Sequence, residues 1–168
     1  MGREPRSMEL SMNHLSFQRE LQLVQANVRL TLHGEVLIDE PLCIDVGLPA
    51  LVNSCFENVE PRVEDAGGEA WKQVPFFVCG CGDPQCRVYA FRVERPSPGY
   101  VQLTEIVESP DGSVREYGAY RVPEADYREA VLRIAQQFLA FVEGIDYRPL
   151  RSETVSLIRE CMEKTSGY

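Results

Sequence analysis

Three thiols fall within eight residues, in the run Cys79-Gly-Cys-Gly-Asp-Pro-Gln-Cys86. Thiolates are the ligands that zinc takes in closed tetrahedral sites, so Cys79, Cys81 and Cys86 could supply three of four. A Zn–S bond near 2.3 Å sets neighbouring sulfurs about 3.8 Å apart. In a regular strand, residues i and i+2 stand about 6–7 Å apart, so the chain would have to fold up. Gly80 and Gly82 permit that, because glycine takes positive φ without a steric penalty. The fourth ligand would come from elsewhere, with Cys43, Cys55, His33 and Asp83 as candidates. Two other readings stand beside this one. The run can be an architectural turn whose thiols act as small apolar groups. It can also be a thiol-redox pair, although it lacks the CxxC helix-start arrangement that lowers a thiol pKa.

Other chemistry is sparse. His14 and His33 are the two imidazoles, and a nucleophile–base pair would need the fold to bring one of them beside a distant cysteine. There is no nucleophile elbow, phosphate-binding loop, dinucleotide fingerprint or His-Glu-x-x-His. Carboxylates are plentiful, with 26 Asp and Glu against 17 Lys and Arg, a net charge of −9. Adjacent acids are therefore expected by chance and carry no acid–base assignment. The same balance disfavours nucleic acid, whose binding begins with the neutralisation of phosphates. It suits a basic protein partner instead. Residues 57–70 hold Glu57, Glu60, Glu64, Asp65 and Glu69, followed by Trp71, and these six make the candidate face for such a partner. The alternative role for Trp71, Phe76 and Phe77 is packing against a sheet.

Six cysteines would permit a disulfide framework in a secreted chain. The N-terminal residues show no apolar leader core, and no apolar run of 18 residues is present to span a membrane. The expectation is a cytoplasmic protein with reduced thiols and no membrane partner.

The elements that must position the thiols follow from periodicity. Residues 1–9 read as a flexible tail and 10–168 as a single domain. Met8, Met12 and Leu15 fall at helical spacing, a short signal. Val24, Ala26, Val28, Leu30 and Leu32 alternate with polar residues and predict a strand. His33-Gly34 predicts a hairpin turn and Glu35–Asp39 the return strand, with Pro41 as its breaker. A short helix is expected from Pro49 to Glu57. Strands are expected over Val74–Cys79, Val88–Glu94, Tyr100–Glu108 and Ser113–Val122, with turns at Pro96–Gly99 and Ser109–Gly112. In the third of these, Glu105 is placed on the wet face and Ile106 inward, which requires a bulge between them. Tyr127, Val131, Ile134, Phe138 and Val142 form the apolar stripe of a helix starting at Pro123. A last helix over Ser152–Lys164 places Val155, Ile158 and Met162 on one side. The fold class is α+β, an antiparallel meander of five to seven strands with the two C-terminal helices packed on one face.

Through Cys79, Cys81, Gly82 and Cys86, and through the order hairpin, short helix, strand, turn, strand, the chain resembles small bacterial proteins that carry a Cys-x-Cys-Gly-x-x-Gly-Cys turn. Gln85 stands where such turns often have glycine. The resemblance implies no activity. Physical profile adds a functional expectation: small, acidic and without catalytic motifs, the chain suits a non-catalytic, immunity-protein-like binder of a basic protein. The alternative is a zinc-containing or thiol-active protein built on the turn.

Overall fold

The computed structural model describes residues 6–62, 68–79, 87–149 and 153–164. Two three-stranded antiparallel sheets carry the architecture, each a meander, and the fold is α+β. The first contains β1 (Met8–Gln18), β2 (Leu23–Leu32) and β3 (Glu35–Cys43). The second contains β4 (Ala90–Glu94), β5 (Tyr100–Glu108) and β6 (Val114–Pro123). Between them run the short helix α1 (Leu48–Asn53) and a 3-10 turn at Gly68–Gln73. After them come α2 (Glu124–Glu143) and α3 (Thr154–Glu163). One hydrophobic cluster joins residues of both sheets to α1, α2 and α3.

The described residues thus make two sheets where sequence periodicity suggested one. The physical reason lies in Val74–Cys79, which does not form a strand. Only Phe77 pairs there, in an isolated antiparallel bridge with Tyr89. Phe76 and Phe77 are both buried, and a segment buried on adjacent residues lacks the two-faced alternation of a ladder strand. β1 is the opposite case. Met8, Leu10 and Met12 are buried while Glu9, Ser11 and Asn13 are exposed, so these residues follow period two rather than a helical spacing. β1 therefore begins inside the stretch read as a tail. Its pattern is obscured further on, where the register shifts between Asn13 and Ser16 and His14 takes φ 55°.

Pro41 does not end β3, which continues to Cys43 and pairs Pro41 with Asn27. β3 is an edge strand, and an edge tolerates proline because its N–H need not join a ladder. The predicted irregularity in β5 is present: the register shifts between Glu105 and Ile106, opposite Gly118 and Glu116. Tyr117 is the extra residue, Ile106 points inward and Glu105 is half-buried. The helical stripe of α2 is buried from Tyr127 through Val142, and this helix packs on β1. The last helix leans instead on α1 and, less extensively, on α2, through Thr154, Ile158 and Cys161.

Candidate functional site: a thiol corner between the sheets

β3 ends at Cys43, whose antiparallel partner in β2 is Gln25. The chain then turns into α1 through Gly47. A Cβ at Gly47 would stand 2.2 Å from the carbonyl oxygens of both Pro75 and Phe76. Glycine is required there because the entry to α1 lies directly against the backbone that leads to Cys79. Beyond that contact, Phe77 exchanges two backbone hydrogen bonds with Tyr89, at 3.4 and 3.0 Å. Phe76 stacks on Phe91 with ring centroids 6.5 Å apart. Two fixed pieces of chain are thereby held side by side, and each ends in a cysteine.

The result is a close thiol pair. Cys43 Sγ and Cys79 Sγ are 3.1 Å apart, a hydrogen-bonded contact across 36 residues of sequence. The Gln25 side-chain amide donates to Cys43 Sγ at 3.7 Å, and its Oε1 accepts from Gln18 Nε2 at 3.4 Å, which orients the NH2 group toward the sulfur. Burial first, and then the hydrogen bond to Cys79, push the Cys43 thiol up to about 12. Without a cation it is therefore a neutral thiol.

A pocket of about 240 Å³ opens on this corner, with Gln25, Cys43, Cys79, Glu40 and Arg87 in its lining. Arg87 forms an ion pair with Glu40 at 3.5 Å and donates to the Tyr89 hydroxyl at 3.3 Å. That hydroxyl in turn donates to Glu40 Oε1. The wall of the pocket is therefore cross-linked from β3 to the residues that follow the cysteine run.

Of the sequence-derived ligands, the structure describes Cys79; Cys81 and Cys86 lie outside the described residues. Among the fourth-ligand candidates it brings Cys43 to Cys79. His33 is elsewhere, stacked on Tyr120 with its Nε2 2.6 Å from Arg121 O, and Cys55 is enclosed in the core. Among the described residues, no group of three or more metal-ligating side chains is assembled. The signal for Cys43 in the sequence was weak, because only the packing of Gly47 on Pro75-Phe76 carries it across the 36 intervening positions.

The acidic face is less concentrated than its sequence suggests. Glu57 accepts from Asn53 at 3.3 Å and pairs with Lys72 at 3.4 Å. The Asn53 amide, chiefly, holds its carboxyl below the ordinary range; burial opposes it, and the lysine charge adds a smaller lowering. Glu60 receives Arg92 at 2.6 Å, and the same guanidinium also reaches Glu116. Trp71 is half-buried and packs on the core, with the Lys72 ammonium 5.7 Å from its ring centre. Glu64, Asp65 and the side chain of Glu69 lie outside the described residues. Phe76 and Phe77 are core residues. Among the described residues, no helix is long and apolar enough to cross a membrane.

Comparison with known proteins adds no relative: no family model, no curated protein and no solved structure matches this chain.

Proposed function

We propose that this chain is a zinc-thiolate protein in which the metal clamps the end of β3 to the segment before β4, with a structural rather than a catalytic role. The carrying observation is the 3.1 Å approach of Cys43 and Cys79. An opening of about 0.7 Å would make this pair one edge of a zinc–sulfur tetrahedron. Cys81 is two residues along the chain from Cys79 and Cys86 seven, so sequence offers both as the remaining ligands. The Gln25 amide supplies the outer hydrogen bond that metal-bound thiolates ordinarily receive. Zinc would displace the proton from the raised Cys43 thiol, because a coordinating thiol is deprotonated outright. Retention of such thiolates suits a reducing compartment such as the cytoplasm.

Metal analysis of protein purified without chelator tests this reading. About one zinc per chain is expected, absent from Cys43→Ser and Cys79→Ser and retained in Cys55→Ser. Metal-free wild-type protein that takes up no zinc on titration would refute it.

A second reading concerns partners. Glu57 and Glu60 remain 47% and 40% exposed although each is held by an internal cation, and they flank the acidic loop. Fixed, half-exposed carboxylates suit the docking of a basic protein, as in an immunity protein. Charge reversal across Glu57, Glu60, Glu64, Asp65 and Glu69 should slow association with such a partner and flatten its salt dependence. Unchanged association at low salt would remove this surface from consideration.

A further inference from the structure

We propose that Cys43 and Cys79 form a reversible two-electron oxidation switch, closed to a disulfide by a small hydroperoxide that enters the pocket beside them. This goes beyond the zinc reading and does not depend on it, because it needs only the two thiols. Their sulfurs are 3.1 Å apart, and a disulfide bond of about 2.05 Å needs a further approach of about 1 Å. The two cysteines differ in access. Cys79 is half-buried and Cys43 buried, and both line the open pocket. Cys79 is accordingly the sulfur that meets the oxidant and Cys43 the one that resolves.

The pocket suits a small neutral oxidant. Among the described residues of its wall, the charges of Arg87 and Glu40 offset each other at 3.5 Å. A volume of about 240 Å³ admits hydrogen peroxide or a small organic hydroperoxide.

The reaction balances in two steps. The Cys79 sulfur attacks the peroxide, the O–O bond breaks, and sulfenic acid forms as an alcohol or water leaves. The Cys43 thiol then passes its proton to the sulfenic oxygen as its sulfur attacks the Cys79 sulfur, the S–S bond forms, and that oxygen departs as water. Two thiols are oxidised and one hydroperoxide is reduced. The bond ties the end of β3 to the segment paired with Tyr89, and a thiol reductant reverses it.

The experiment uses the full chain, both as purified and after removal of any metal with a chelator. Each sample is treated with one equivalent of hydrogen peroxide, and the metal content is measured in parallel. Peptide mapping should show a Cys43–Cys79 linkage in the metal-free sample, removed by reductant, with Cys55 and Cys161 still free for labelling after denaturation. In Cys43→Ser the reaction should stop at a sulfenic acid on Cys79 that a dimedone probe traps. In Cys79→Ser peroxide consumption should fall at least tenfold. A linkage of Cys79 to Cys81 or Cys86, or a Cys79 that stays reduced while other thiols oxidise, would overturn the proposal. The metal measurement decides the zinc reading separately, since a chain that holds no zinc can still form this disulfide, and a zinc-binding chain can fail to.

Discussion

The four described cysteines sort into two pairs by environment, and the pairs are chemically unlike. Cys55 and Cys161 are 0% and 2% exposed and belong to the hydrophobic cluster that joins both sheets to the helices. Burial is the main cause pushing the Cys55 thiol up to about 12, and the same cause raises Cys161. Cys43 is also buried and also raised, yet it touches a second sulfur, receives an amide N–H and borders an open pocket. Both Cys43 and Cys55 are shifted upward by burial, so the shift does not separate reactive from inert. Access and the presence of a partner sulfur do. A thiol in a dry core behaves as a small apolar group, whereas a paired thiol beside solvent can reach a metal or an oxidant.

The largest expected break in this comparison comes from Gly47→Ala. Its Cβ would collide with two backbone carbonyls, and overpacking at a rigid contact costs about 1–3 kcal/mol or more. Urea denaturation should show a loss near 3 kcal/mol by that rule. The same variant should bind metal less well, because the displaced backbone carries Cys79. A wild-type midpoint would mean that the corner is not held by this contact.

Cys55→Ser should come next, and it separates the two pairs. A hydroxyl at a fully enclosed apolar position costs about 1–3 kcal/mol, while metal content and thiol labelling at Cys79 stay unchanged. Cys43→Ser should show the reverse pattern, with the larger loss in zinc retention. Equal metal loss in both variants would erase the distinction drawn between them.

Gln25→Ala should weaken zinc about tenfold without abolishing it, the usual scale for a hydrogen bond to a metal ligand. Competition with a chromophoric chelator measures this. An unchanged affinity would show that the amide only packs against the sulfur.

The smallest effect is electrostatic. Glu105 is raised by burial and then by the charge of Glu35. A raised carboxyl binds more protons folded than unfolded, so its contribution to stability falls as pH rises from its ordinary value through its folded one. Glu105→Gln should therefore flatten the stability profile just above pH 4.5, the ordinary value for this group. For Glu57, held low chiefly by Asn53, the sign reverses. Its stabilisation is present above its ordinary value and lost as pH falls, so Glu57→Gln should remove part of the acid-side decline. Thermal unfolding across pH 3–7 reads both, and parallel wild-type and variant curves would count against each assignment.

Local pattern alone was enough to read the hairpin of β2 and β3, the meander of β4 to β6, the bulge beside Glu105 and the buried stripe of α2. These rest on periods of two and 3.6 and on turn residues, all of which are local. It also marked Cys79 as the start of the chemically pointed run. It did not reveal β1, because a register shift breaks the alternation after Asn13. It did not separate the two sheets, because consecutive buried phenylalanines resemble a strand until their pairing is known. Nor could spacing choose Cys43 from among four possible partners of Cys79. That pairing comes from long-range packing, through a glycine that lets two backbones touch and brings sulfurs 36 residues apart to within 3.1 Å.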